Sequence, residues 1–246
     1  MSIYSDDAQL ARIRDILSRY TRLPFSGDSI PGLIMEGVLA HVRGGQRLNT
    51  YDFVDVVDQK NRVGWQVKST KATTPVTWKR AKIPNAEKLI GDSRSSARGL
   101  QALGNAIIEF CNQHARASFA LYGLDEIGYS RLILFDDGRV VYFEKRLCTK
   151  DKPQLFNPEE FSWRWSAQKK TKKKEQLSAL HGIHRKTEKK WWAGHVLGEN
   201  QLHFSGEKTW WPANDGAHSV AFKLPSKSEK LSVEAFLALL DRLASS

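Results

Sequence analysis

The side chains best suited to chemistry lie in one short stretch, YDFVDVVDQKNRVGWQVKST (residues 51–70). Its valines and aromatic residues, with a polar break at 58–62, predict a β-hairpin with strands at 51–57 and 63–69. Side chains alternate along a strand, so Gln66 and Lys68 project from the same face. The acid opposite Gln66 is Asp55 if the turn centres near residues 60–61, and Asp52 if the pairing slips or contains a bulge.

This set of side chains is suited to metal-assisted hydrolysis. Carboxylate and amide oxygens bind hard divalent cations such as Mg2+. A lysine beside them can orient or deprotonate a water, or stabilise a developing negative charge. Bound magnesium polarises a phosphodiester and activates the attacking water. The candidate metal ligands are therefore Asp52 (or Asp55) and Gln66, and the candidate catalytic residue is Lys68.

Glu36 is a further candidate ligand, because one ionised carboxylate is a thin ligand set. It lies in a predicted helix, 33–42, among the apolar residues Leu33, Ile34, Val38 and Leu39. Burying an unpaired acid in such a run is costly. Glu36 either points toward the metal or lies on the solvent face of an amphipathic helix, and both interpretations remain open.

The order Asp52 or Asp55, then Gln66-Val67-Lys68, resembles the active-site motif of the PD-(D/E)XK nuclease superfamily, which includes most type II restriction endonucleases. The resemblance implies a core of helix, three strands, helix and strand. It also implies that the first aspartate and Gln66 ligate metal and that Lys68 serves catalysis. Some members recruit a glutamate from the helix before the hairpin, and Glu36 fits that place.

The sequence departs from the family pattern at two places. The residues before the two aspartates are Tyr51 and Val54, where the family has proline. Position 66 is glutamine, where the family usually has an acid. Some restriction enzymes of this family accept glutamine there, so catalysis remains compatible with it, and Glu36 gains importance as a ligand.

The elements that must position these residues follow from periodicity. Helices are predicted at 7–20, 33–42 (ended by Gly44-Gly45) and 100–111 (capped by Ser95 or Ser96), with a final one at 233–243. Further strands are predicted at 118–124, 130–137 and 139–145, the last two joined by an Asp-Asp-Gly turn at 136–138. This order predicts an α/β fold (α+β, mixed sheet) with a core at 1–150. Residues 151–246 form a separate basic, tryptophan-rich region with the closing helix.

Positive charge is concentrated in that second region. The net charge is +11, which favours a polyanionic partner, most often nucleic acid. Most of the excess lies between Glu160 and His195. Six of the eight tryptophans lie in or just beyond this stretch, at 163, 165, 191, 192, 210 and 211. They either stack on bases or pack in a small core, and the sequence does not decide between the two.

Several protein classes are excluded or unsupported. Only two cysteines are present, Cys111 and Cys148, too few for a disulfide scaffold or a four-cysteine zinc site. No apolar run approaches the roughly 20 residues of a membrane helix, and the acidic, polar start is not a secretory signal. Neither a phosphate-binding glycine loop nor a GxSxG motif is present. We expect a protein of the bacterial or archaeal cytoplasm.

The sequence therefore predicts a magnesium-dependent, sequence-specific endonuclease of double-stranded DNA, most simply a type II restriction enzyme. Palindromic sites favour a homodimer, and a restriction role implies a cognate methyltransferase. The expected DNA contacts are Arg164, Lys169, Lys170, Lys172, Lys173, Lys174, Arg185, Lys186, Lys189, Lys190, Asn200, Gln201 and His203. The alternatives are a non-catalytic DNA-binding protein on the same fold and a repair or recombination nuclease of the same superfamily.

Overall fold

A computed structural model describes residues 2–27, 29–49, 52–80, 82–170, 175–176, 178–194, 201–210 and 218–245. The helices are α1 (Asp7–Tyr20), α2 (Gly32–Arg43), α3 (Ala86–Ser95), α4 (Ala97–Tyr122) and α5 (Val233–Ala244). The strands are β1 (Gln46–Arg47), β2 (Val56–Asp58), β3 (Val63–Lys71), β4 (Val76–Arg80), β5 (Glu126–Leu134), β6 (Arg139–Thr149), β7 (Phe161–Trp165), β8 (Lys169–Lys170), β9 (Glu175–Gln176), β10 (Leu180–His184), β11 (Lys189–Gly194), β12 (Gln201–Phe204) and β13 (Ser219–Lys223). Within these residues, no helix combines the length and apolar character needed to cross a membrane.

The fold is of the mixed α/β class, as predicted, and most predicted elements are confirmed. Helix α1 has the predicted bounds, and α2 ends at Gly44, whose φ of 65° suits a residue without a side chain. Ser96 caps α4 by accepting a hydrogen bond from the Gly99 N–H. Gly138 closes the turn between β5 and β6 with a φ of 79°.

One predicted strand is wrong. Residues 118–124 do not form a strand, because α4 continues through them to Tyr122 and ends at Gly123. The buried residues Ile108, Cys111, Ala115 and Phe119 keep the three-to-four-residue spacing of one helix face beyond the predicted end at 111. The strand β2 is also shorter than predicted, since its pairing begins at Val56.

The chain divides into two compact units. One boundary, between Arg146 and Leu147, lies close to residue 150, while residues 75–125 also belong to unit 2 and residues 212–246 to unit 1. Unit 1 comprises Met1–Thr74, Glu126–Arg146 and Pro212–Ser246, whereas unit 2 comprises Pro75–Asp125 and Leu147–Trp211. The reason is strand pairing: β5 lies beside β3 and β13 lies beside β6, so segments distant in sequence join one sheet.

Unit 1 is built on a six-stranded sheet with the order β1-β2-β3-β5-β6-β13. Strands β3 and β5 are parallel, while β1–β2, β2–β3 and β6–β13 pair antiparallel. Helices α1 and α2 contribute Ile13, Leu17, Met35 and Leu39 to a core that also contains Trp65 of β3. Alternate residues of β3 therefore face these helices, and Gln66 and Lys68 project from the other face.

Unit 2 contains a five-stranded sheet with the order β4-β12-β11-β10-β7, together with α3 and α4. Its core is aromatic: Trp78 lies at ring-centroid distances of 4.9 Å from Phe204 and 5.9 Å from Trp192. Trp163, Trp191 and Trp192 are all buried. For these three tryptophans the packing interpretation is confirmed. Trp165 and Trp210 are partly buried, and Trp211 lies outside the described residues.

Candidate active site

The β2–β3 hairpin brings Asp55 to Gln66 and Lys68. Its register pairs Val56 with Trp65 and Val57 with Gly64, around a turn at 59–62. The Asp55 N–H donates to the Trp65 carbonyl at 2.8 Å, and Asp55 Oδ2 accepts the Val67 N–H at 2.7 Å. The carboxylate therefore accepts the hydrogen bond that a backbone carbonyl of a neighbouring strand would otherwise accept from β3. This is the arrangement predicted for a turn centred near residues 60–61.

Asp55 and Lys68 form an ion pair that solvent can reach. The Lys68 Nζ lies 3.7 Å from Asp55 Oδ2, and the two side chains keep 19% and 24% of their exposure. A separation of this size is an electrostatic contact and is longer than a direct hydrogen bond. The ammonium group therefore stays beside the carboxylate and remains accessible to a water or a phosphate oxygen.

Glu36 of α2 is electrostatically coupled to this pair. Burial raises the pKa of Glu36, and the negative charge of Asp55 raises it further, while Lys68 and Arg47 act in the opposite direction. The neighbouring Met35 is fully buried in the core, whereas Glu36 is only partly buried. Glu36 is therefore within electrostatic range of Asp55 and Lys68, which keeps it among the candidate ligands.

Arg47 is a member of the site that the sequence reasoning missed. It pairs with Val56 in the two-residue strand β1, and the following Leu48 N–H donates to the Asp55 carbonyl at 2.9 Å. Its guanidinium donates to the Asn49 Oδ1 at 3.1 Å. A two-residue strand has no periodicity to detect, so the available signal was only an arginine shortly after the Gly-Gly helix end.

The remaining predicted ligands differ in their placement. Gln66 lies inside β3, on the Lys68 face, and is only 2% exposed. Asp52 lies in a bend before β2 and is partly buried. Asp55 contacts β3 through the Val67 N–H and the Lys68 ammonium group, so the geometry places Asp55 beside Lys68.

The donor set fits a hard divalent cation. Across the described part of the chain, no group of three or more His, Cys, Asp or Glu side chains comes together. Mg2+ nevertheless needs few protein ligands, since it retains waters and uses one or two carboxylates plus phosphate oxygens. Asp55 and Glu36 are the two carboxylates available for this, while Gln66 is almost fully buried on the face of β3 away from α2. The mutual repulsion of the two carboxylates is what a cation would relieve.

The predicted DNA-contacting residues that are described belong to unit 2. Arg164, Arg185, Lys186, Lys189 and Lys190 are exposed, and Gln201 and His203 are partly exposed. The backbones of Lys169 and Lys170 form β8, and their side chains are not described. Lys172, Lys173, Lys174 and Asn200 lie outside the described residues.

The histidines of this region do not share one environment. His184 is buried, stacks on Trp191 at 4.0 Å and bonds through Nδ1 to the Thr187 hydroxyl at 2.9 Å. His181 and His203 are partly exposed, and His195 lies outside the described residues. His184 thus has a packing role.

In comparisons with protein-family models, curated proteins and solved structures, no match to this chain is found.

Proposed function

We propose that the protein is a magnesium-dependent endonuclease of double-stranded DNA, in the manner of a type II restriction enzyme on a PD-(D/E)XK-like core. The observation that carries the proposal is the partly exposed ion pair of Asp55 and Lys68 on the β2–β3 hairpin, to which the carboxyl group of Glu36 is electrostatically coupled. A carboxyl group whose pKa is shifted by burial and by a neighbouring charge is a mark of candidate functional sites. The strong positive charge of the chain supports a polyanionic substrate.

Each side chain has a role that its surroundings support. Asp55 Oδ2 accepts the Val67 N–H, so one oxygen is fixed while the side chain keeps 24% of its exposure. Asp55, Glu36 and Gln66 would hold the cation, with Asp52 as a further candidate. When bound, magnesium supplies Lewis-acid polarisation of the phosphodiester. Lys68 orients the attacking water and offsets negative charge as it develops on the phosphate.

The partners follow from the proposed reaction. Cleavage of a duplex at a palindromic site needs two symmetry-related centres, so the proposed assembly is a homodimer. A restriction role also requires a cognate methyltransferase that protects the host DNA. A core of helix, three strands, helix and strand belongs to the same proposal. It is supported by α2 followed by β1, β2 and β3 and, after β4, α3 and α4, by β5, since these four strands are neighbours in the unit 1 sheet.

A second candidate is a DNA-binding protein that has kept the fold without catalysis. It is favoured by the glutamine at position 66 and by the absence, among the described residues, of a three-acid group. A repair or recombination nuclease remains a third candidate. Discrete fragments from intact plasmid support restriction, cleavage only at mismatches, junctions or ends supports repair, and DNA retention without cleavage in magnesium or manganese supports the non-catalytic candidate.

The test is plasmid cleavage by the purified protein in magnesium, with Lys68→Ala compared with Lys71→Ala. Both lysines belong to β3, but their odd separation puts Lys71 on the opposite face, at the exposed strand end. We expect Lys68→Ala to lose about 10²–10⁴-fold in cleavage rate and Lys71→Ala to cleave like the parent. Equal cleavage by the two variants would remove Lys68 from the mechanism.

Glu36 is tested separately, because its proposed role is to hold the cation and not to orient the water. We expect Glu36→Ala to lower the cleavage rate and to raise the magnesium concentration needed for half-maximal activity. If the cleavage rate and the magnesium requirement are both unchanged, Glu36 is a surface residue of α2 and not a metal ligand.

A further inference from the structure

The outer face of the unit 2 sheet is a continuous polar surface. We define it by a row of residues paired across all five strands, together with its neighbours. Arg164 pairs with His181, His181 with Ala193, Ala193 with His203, and His203 with Thr77. All five are partly or fully exposed. The residues on either side of them in their strands, such as Trp163 and Phe204, are buried, except for Trp165, which is partly buried.

A β-bulge makes this separation of the two faces complete. Gly182 pairs with Trp192 and Ile183 pairs with Lys190, so Trp191 is an extra residue in β11. The bulge lets the adjacent Trp191 and Trp192 both face the core, where strict alternation would expose one of them. As a consequence, Lys190 is turned outward beside Ile183 and extends the outer face.

The five strands have only one sign of charge. None of their residues is acidic, while four of their basic residues are exposed, namely Arg80, Arg164, Lys189 and Lys190. The turn that joins β10 to β11 adds exposed Arg185 and Lys186 together with one exposed acid, Glu188. A solvated surface without a function normally mixes both signs. A face with so large an excess of positive charge is complementary to a polyanion.

We propose that the outer face of the unit 2 sheet binds the phosphate backbone of double-stranded DNA. The proposal rests on the proposed function for its choice of duplex DNA, and on the charge distribution for binding itself. Neighbouring strands lie about 4.8 Å apart, so the row spans about 19 Å. A major groove about 12 Å wide admits a two-stranded ribbon but not a face this broad. The face is therefore assigned to phosphate grip rather than to base reading.

The test is binding of a 30-base-pair duplex in EDTA, measured by fluorescence anisotropy over a range of salt concentrations. We compare Arg164→Ala/Lys190→Ala with Lys88→Ala/Arg98→Ala, which removes the same two residue types from exposed positions on α3 and α4. Those helices pack on the core side of the sheet, where Ser93 of α3 accepts a hydrogen bond from the Trp165 indole at 3.2 Å.

We expect the outer-face variant to bind about 10-fold more weakly and to lower the salt slope by about 2, equally for unrelated sequences. The helix-side variant should bind like the parent, and the thermal midpoints of both should match the parent. Equal loss in the two variants, no loss in the first, or no duplex binding by the parent would overturn the proposal. So would preferential binding of a single strand of the same length.

This result is separable from that of the proposed function. Binding is measured without a divalent cation, and no residue of the candidate active site is changed. Loss of binding in the outer-face variant of a protein that never cleaves DNA supports the outer face and contradicts the nuclease. If that variant binds DNA normally and the parent does cleave DNA, the result contradicts the outer-face proposal and supports the nuclease.

Discussion

In unit 1, charges of both signs meet at one place beside the β2–β3 hairpin, whereas the strands of the unit 2 sheet carry basic residues and no acidic one. Asp55 and Glu36 lie near Lys68 and Arg47 in the first case. In the second, Arg164 and Lys190 project from an antiparallel sheet whose other face is filled with tryptophan and phenylalanine.

The difference reflects two tasks with different electrostatic needs. Hydrolysis needs opposite charges within a few ångströms, because a cation, a water and a phosphate must be held together. Backbone grip needs one sign of charge distributed over a broad surface, because each phosphate contact contributes a small, salt-dependent share. The comparison therefore predicts that a single substitution in the unit 1 site abolishes DNA cleavage, whereas each substitution on the unit 2 face weakens DNA binding by a small amount.

The largest effect is expected from Asp55→Asn. Asparagine keeps an oxygen that can accept the Val67 N–H, so the hairpin should stay intact while the negative charge is lost. We expect a decrease in cleavage rate of about 10³-fold or more, measured by single-turnover digestion of plasmid DNA. Binding of the duplex in EDTA should not weaken, since a negative charge has been removed.

Asp52→Asn is the matched comparison for this variant. Asp52 lies in the bend before β2, outside the β2–β3 register. We expect the cleavage rate of Asp52→Asn to fall by less than about 10-fold. A larger loss in Asp52→Asn than in Asp55→Asn would show that the first aspartate of the motif is the essential ligand.

The second prediction concerns the aromatic core that supports the outer face. A Cβ added at Gly104 of α4 would overlap the indole ring of Trp163. We expect Gly104→Ala to destabilise unit 2 by about 1–3 kcal/mol, measured as a lower midpoint in urea with Trp fluorescence. In contrast, a Cβ at Gly91 of α3 meets no atom within 4 Å, so Gly91→Ala should stabilise by about 0.5–1 kcal/mol.

Part of the fold could be predicted from the sequence because it depends on local patterns. The hairpin, α1, α2 and the Asp-Asp-Gly turn follow from alternation, helical spacing and turn residues. The proximity of Asp55 to Lys68 followed from the position of a turn, which is also local.

Features that depend on long-range pairing were not readable. The insertion of β5 beside β3 joins residues more than fifty positions apart, and it returns residues 126–146 to unit 1 after a segment of unit 2. The bulge at Trp191 has no local signature beyond the Trp-Trp pair itself. Arg47 joined the site through a strand of only two residues.

The third prediction sharpens the assignment of the metal ligands in unit 1. Gln66→Glu places a carboxylate at a position that is almost fully buried, which is costly without a cation. We expect a thermal midpoint below that of the parent in EDTA, and a larger rise than the parent shows when about 10 mM magnesium is added. A midpoint that does not respond to magnesium would remove position 66 from the ligand set.

The smallest effect is expected from Glu36→Gln, and its sign depends on pH. Burial and Asp55 raise the pKa of Glu36, so the folded protein holds this proton more tightly than the unfolded chain does. The resulting stability is present below the ordinary carboxyl pKa and is lost as pH rises through the raised value. Glutamine does not titrate, so the variant should be more stable than the parent at pH 7 in EDTA, and the two should converge near pH 4.

The expected difference is about 0.5 kcal/mol or less, because solvent screens a partly exposed side chain. Magnesium should reverse its sign. A cation held by Asp55 and Glu36 would stabilise the parent. In the variant the cation would have one carboxylate ligand fewer, so it would stabilise the variant less. A variant that stays more stable than the parent in magnesium as well would mean that Glu36 repels Asp55 without sharing a cation with it, and unit 1 would then have a single acidic ligand.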